Sequence, residues 1–469
     1  MAVDKTPATS PIITAGSSSS SSDVLKPRSP LDDHRLSFNH TKDLHTHLSK
    51  QASHGSSSGR QDRGRSRSRE SERTVAPDND ELQVTAMPSG SGFHNIEEAG
   101  EKARKRDDWI AISNFHPGWF SVNMGTGITA ILLQNLPYQF PGLHYIAVVL
   151  FILNVIIFFL FLTISITRYC LWPDKFKAML AHPAHSMLLG TFPMGFATII
   201  NCIVFICVPV WGEWASRFAW GLWWIDAAVS VAICYFVPFM LMTKHTSSLE
   251  TMTAAWLLPI VAPVVAAASG GVVADSLQND THALITILVC YAMWGSAVPL
   301  AMVILVIYFQ RLAIHKLVPR AAIVSALLPI GPLGQGGFGL MQLGVVAKRV
   351  FPRLDFLAPI AGDIFYVMGA FIAMIMWGFG LIWLWFALAS FTRGKFYFNI
   401  GWWAFTFPLG VFTTATTQMG KEFNSPFFDI LGTVSLGVLS SQSCVILEKR
   451  VLTLGLSSSS LLLLLACGC

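Results

Sequence analysis

Six polar side chains stand in otherwise apolar stretches of this chain: His116, Asn123, Thr126, Asn201, Gln335 and Thr406. Amides and hydroxyls offer a passing solute dipoles, not charges, and no lysine or arginine lies well inside the stretches that hold them. An anion met only by such dipoles, and by backbone amides exposed where proline interrupts a helix, is attracted weakly and leaves quickly. That is chemistry for conduction. The imidazole of His116 either titrates with a solute near neutral pH or sits at the membrane interface. Gly334-Gln335-Gly336-Gly337 lets backbone approach a solute or lets helices pack closely. Asp226 is the one carboxylate near the middle of an apolar stretch. Ionisable groups there are costly, and are paired or functional; a hydrogen bond bracing a neighbouring helix is favoured over proton coupling.

Catalysis is not indicated. Asp226 has no partner aspartate for an intramembrane protease, no Ser-His dyad stands in facing stretches, and no Gly-x-x-x-x-Gly-Lys-Ser/Thr phosphate loop occurs. The eight cysteines form no CxxC pair and no His-linked spacing. His182 and His185 flank Pro183 without a third ligand. The expectation is a non-enzyme with no cofactor, no metal and no disulfide framework.

The elements that must position these groups are read from composition. Of all residues, 53% are hydrophobic and 13% are charged, against about 25% charged in soluble domains. Residues 1–108 are polar and rich in serine and arginine, as in Arg65-Ser66-Arg67-Ser68-Arg69; such a segment reads as a disordered tail without a signal peptide. Residues 109–448 hold ten apolar runs, each long enough to span about 30 Å of hydrocarbon as a helix. They fall at 114–136, 143–168, 185–209, 217–242, 251–273, 283–310, 320–346, 357–391, 399–419 and 425–446. Residues 449–469 form a C-terminal tail ending in a low-complexity stretch.

Loops on the side of the N-terminal tail carry nine lysines and arginines against five on the other side. The positive-inside bias puts both termini in the cytosol. Asn279-Asp280-Thr281 is then a glycosylation sequon on the outer side, whereas the sequon at Asn39 falls in the cytosolic tail.

The odd-numbered runs share proline, mostly with glycine close by. Pro117, Pro193, Pro263, Pro332 and Pro408 recur about 70 to 76 residues apart, the signature of a repeated unit. Proline removes a donor and kinks a helix, and the freed carbonyls must be satisfied away from lipid. The period therefore predicts an all-α membrane fold of five helical hairpins. Five inner helices, kinked at those prolines, surround a central pore, and five outer helices face lipid.

Gly190-Thr191-Phe192-Pro193-Met194-Gly195, Trp223-Trp224-Ile225-Asp226, Gly331-Pro332-Leu333-Gly334-Gln335-Gly336 and Trp402-Trp403-Ala404-Phe405-Thr406-Phe407-Pro408 resemble, in order, the fungal sulfite efflux pumps. These belong to the tellurite-resistance/dicarboxylate transporter family, together with malate permeases and plant slow anion channels. The resemblance covers residues 110–446 and implies five hairpins around a pore, a homotrimer in the plasma membrane, and export of sulfite or bisulfite that confers sulfite resistance. A malate or dicarboxylate permease is the alternative. The resemblance also implies that Phe407, at the position where family channels carry a pore-plugging phenylalanine, is the gate. Phe192, in the matching Phe-Pro context, is the second candidate; Phe405 and Phe412 are alternatives in register, and ordinary packing is the plainer reading. Sulfite species interconvert near neutral pH, which gives His116 a possible titration partner.

Overall fold

The computed structural model describes residues 115–393 and 403–453, except the side chains of 320, 321, 403–405 and 440–453. The serine- and arginine-rich tail, the sequon at Asn39, Trp402 and the low-complexity end lie outside the described residues. All the described regular elements are helical. Ten of them organise the fold: α1 Ser121–Gln134, α2 Leu143–Leu171, α3 Thr191–Cys202, α4 Glu213–Thr243, α5 Leu257–Ser276, α6 Asp280–His315, α7 Ile330–Val350, α8 Ala361–Phe391, α9 Trp403–Phe423 and α10 Pro426–Thr453.

Local chemistry explains the ends. Gly142 and Gly212 take φ of 99° and 76° immediately before α2 and α4, a conformation glycine adopts without a Cβ clash. Asn279 caps α6, its Oδ1 accepting from the N–H groups of Thr281 and His282 at 2.9 and 3.1 Å.

Four of the odd-numbered helices begin in a shared way that differs from the sequence expectation. Tight 3-10 turns at Pro117–Phe120, Leu188–Gly190, Ala254–Trp256 and Arg320–Leu327 lead into α1, α3, α5 and α7. Pro117 opens the first turn, and Pro193 and Pro332 are each the third residue of their helix. The N–H groups of a first turn have no intrahelical acceptor, so proline there breaks no bond. These three prolines start helices; only Pro263 and Pro408 lie inside theirs. A further proline acts where none was singled out. Pro209 follows a π-helical segment, Ile203–Cys207, that continues α3. Pro209 has no N–H to offer the Phe205 carbonyl one turn back, and the widened turn accommodates that loss.

Burial separates two sets of helices. The most apolar 18-residue window of Ala254–Ser276 is 100% buried and that of Ala322–Leu354 89%, against 17% for Leu143–Leu171 and 28% for Ala361–Phe391. The buried helices pack in a cycle: α1 on α3, α3 on α5, α5 on α7, α7 on α9, and α9 back on α1. Each even-numbered helix packs against the helix before it and the next one in the cycle. Every seam of the cycle has a glycine with no room for a Cβ: Gly127 against Thr198, Gly190 against Leu258, Gly339 against Ala268, Gly334 against Phe412 and Gly410 against Ile128.

Among the described residues, seven helical segments are long and apolar enough to cross a membrane. The chain is therefore an all-α, multi-pass membrane protein. The other three expected spans coincide with α1, α9 and α10. α1 is 14 residues long, α9 is rich in threonine and ends in Lys421 and Glu422, and the described apolar part of α10 is the shorter stretch Pro426–Leu439. α6 runs to 36 residues and α8 to 31, longer than the roughly 20 a straight span needs, so both are long enough to tilt or to project beyond the bilayer.

Candidate anion path

One cavity touches all five helices of the cycle. It is a small space, bounded by Ile128 and Ile131 from α1, Thr198 and Asn201 from α3 with Phe205 from the π segment, Val265 from α5, Gln335 and Phe338 from α7, and Phe407, Val411 and Thr414 from α9. No lysine, arginine, aspartate or glutamate is among these residues. Three phenylalanine rings narrow the space, and two amides supply its strongest dipoles. Neither Asn201 nor Gln335, each more than nine-tenths buried, makes a side-chain hydrogen bond within the described residues, and Asn201 Oδ1 is a buried atom without a partner. An unsatisfied buried polar group costs about 1–3 kcal/mol; beside a cavity, a polar solute or water can supply what the protein does not. Thr198 and Thr414 are committed to their own helices, donating to Gly195 O at 2.7 Å and Gly410 O at 3.0 Å.

The sequence candidates divide between this cavity and other places. Phe407, Asn201 and Gln335 line it. Asn123 and Thr126 do not. Both meet Asn154 of α2: Asn123 Nδ2 donates to Asn154 O and Oδ1, each at 3.0 Å, and Thr126 Oγ1 to Asn154 Oδ1 at 2.8 Å. Asn154 Nδ2 in turn donates to Thr198 Oγ1 at 3.2 Å. This buried amide thus ties α1, α2 and α3 together, a polar knot that takes the two side chains expected along the path. Thr406 is fully buried, its hydroxyl without a partner, one residue from the cavity wall. Phe192 packs in an aromatic group with Phe120 and Phe158, at centroid distances of 5.1 and 5.8 Å. His116 precedes the first 3-10 turn, where its Nδ1 accepts from Gly118 N at 3.2 Å.

Asp226 does not form the expected brace: it is 1% exposed and neither carboxylate oxygen has a partner. Trp223, one turn earlier, joins α4 to α5 by donating from Nε1 to Ala266 O at 2.8 Å. Phe205, Phe338, Thr198 and Thr414 were not picked out from sequence. The signal was helical spacing. Thr198, Asn201 and Phe205, then Gln335 and Phe338, then Phe407, Val411 and Thr414 recur at three- and four-residue steps from the residues that were.

Residues 114–448 match the voltage-dependent anion channel family. The chain belongs to that family. The match takes in the helices from α1 to most of α10, and membership makes this a transport protein and not an enzyme. The chain is 99% identical over 347 residues to the sulfite efflux pump SSU1 of Arthroderma benhamiae, covering 74% of this chain and 92% of that one. It is 94% identical over 347 residues, with the same two coverages, to the sulfite efflux pump SSU1 of Arthroderma otae. It is also 26% identical over 339 residues to the malic acid transport protein of Schizosaccharomyces pombe, covering 70% of this chain and 75% of that one.

Proposed function

We propose that this chain exports sulfite or bisulfite across the plasma membrane, through a pore along the axis of the helix cycle. The observation that carries the reading is the uncharged cavity touched by all five odd-numbered helices, with free amides and a phenylalanine at the gate position. The two fungal relatives named as sulfite efflux pumps support the choice of anion. In this reading ten helices cross the bilayer as five hairpins, 1–108 and 449–469 are cytosolic tails, and 109–448 is the transporter. Phe407 is the gate: an aromatic ring closes a narrow path without charge, and a rotamer change opens it. Phe192, placed in its aromatic group, would act on the gate only indirectly.

An inside-negative potential drives a monovalent anion outward with about 2.3 kcal/mol per 100 mV, so export needs no ATP. The test is sulfite flux from proteoliposomes across imposed voltages. Flux that rises with inside-negative potential is expected; flux blind to voltage would sink electrogenic export and favour a proton-linked route, in which Asp226 is the first residue to vary. The malic acid relative supports a second reading as a dicarboxylate permease, which malate competition against sulfite flux decides. The family resemblance supports a homotrimer, to be checked by native mass in detergent. The sequon and the positive-inside topology support Asn279 as an outward-facing glycosylation site, to be checked by a glycosidase-sensitive shift in gel mobility.

A further inference from the structure

At the end of the bundle where α1 begins and α2 finishes, four cationic or cationisable side chains meet. Arg168, near the end of α2, is 8% exposed, and its Nε is buried without a partner. Its Nη1 reaches the Tyr169 hydroxyl at 3.3 Å, and no carboxylate pairs with it among the described residues. Its charge acts on both His116 and His185. Those two rings stack at 5.7 Å between centroids, and His185 meets His182 at 4.4 Å. The group is graded from solvent inward: His182 and His185 are exposed, His116 half-buried and Arg168 buried.

The hydrogen bonds assign the donors. The Nδ1 atoms of His116 and His182 accept from the backbone N–H groups of Gly118 and His185 at 3.2 and 3.4 Å. In the neutral ring an accepting Nδ1 leaves the proton on Nε2, so each of these two rings keeps a free N–H donor. No group of His, Cys, Asp and Glu among the described residues is placed to hold a metal. A buried arginine lacking a counter-charge is costly unless an anion completes it. The far end of the bundle contrasts with this one. The four ion pairs among the described residues, Arg217–Glu213, Lys348–Asp363, Arg349–Asp275 and Arg353–Asp280, all lie there.

We propose that Arg168, with His116, His185 and His182 around it, is an oxyanion-capture site at the mouth of the path, distinct from the cavity, whose Ile128 lies about 20 Å from His116 along the first 3-10 turn and α1. The identity of its oxyanion as sulfite rests on the export reading above. Capture on one face and weak dipoles in the middle would load the path from the tail side and release at the far side.

The test is thermal unfolding of the purified full chain in detergent, with sodium sulfite titrated at constant ionic strength. Sulfite should raise the melting temperature of the wild type. Arg168→Gln should weaken apparent affinity about tenfold, the loss of one charge-assisted hydrogen bond, and Arg168→Lys should recover part of it. Equal sulfite stabilisation in wild type and Arg168→Gln overturns the site. If Arg168→Gln does not fold, the double variant H116Q/H185Q takes its place with the same criterion. In proteoliposomes, Arg168→Gln should raise the half-saturating sulfite concentration from the tail side alone; an equal loss of rate from both sides means a structural role and overturns capture. A wild type that binds sulfite through Arg168 yet carries none would refute the export reading and leave this site standing.

Discussion

In the proposed pore, Phe407 and the two amides lining the same cavity are where side-chain chemistry and transport would meet. Phe407→Ala removes a ring from a cavity already narrowed by Phe205 and Phe338, so anion current through the variant should rise severalfold; unchanged current would exclude Phe407 as the gate. Asn201→Leu keeps the bulk and removes a free amide, and should raise the KM for sulfite by up to tenfold while the protein still folds; an unmoved KM would remove Asn201 from the path. At this scale the sequence was partly legible. Gln335 and Asn201 stood out because an amide is rare in an apolar run. Asn123 and Thr126 stood out for the same reason but are taken up by Asn154. A polar residue in a membrane helix signals either a solute or another polar residue, and only the third dimension separates the two. Asn154 itself went unremarked because it lies in an even-numbered run, where no path was expected.

Among elements, Asn154 and Gly334 are the positions most exposed to substitution. Asn154→Leu deletes the side-chain knot that joins three helices and leaves the Asn123 amide only its bond to the backbone carbonyl of residue 154. Polar contacts between membrane helices are worth about 0.6 kcal/mol on average and up to about 1.7 each, so the loss should be about 2 kcal/mol or more, read as a lower melting temperature. A Cβ on Gly334 would lie 2.7 Å from Phe412 Cα, backbone that cannot step aside; Gly334→Ala should push α7 from α9, lowering stability and altering flux together. The proline period identified which helices enclose the cavity, yet it misjudged how. Three of its five members sit in first turns, where proline is tolerated for its missing donor. The π turn before Pro209, which carries Phe205 into the cavity wall, has no signature distinguishable from an ordinary proline in an apolar run.

For the molecule as a whole, apolar run length gave the helices and their alternation, because a span of hydrocarbon demands a fixed length whatever the fold. As folded, α1 and the described part of α10 are shorter than a full span and α9 is more polar than one. Helices shielded by others need less apolar surface than helices that meet lipid, which is why threonine and glycine gather there. The contrast in burial, 100% for Ala254–Ser276 against 17% for Leu143–Leu171, is that difference in numbers.

The glycine seams set how the whole bundle responds to heat. Five contacts without room for a methyl group leave neighbouring helices no slack to slide or rock. A rocking bundle must break and remake such contacts in each cycle, so its turnover slows steeply on cooling. A turning phenylalanine ring crosses a far smaller barrier. Sulfite flux through this protein should therefore fall by little more than the viscosity of its surroundings requires as vesicles are cooled to about 10 °C, well short of the roughly threefold or more per ten degrees seen when packed contacts open as in unfolding. A steep Arrhenius slope would mean that the seams open after all.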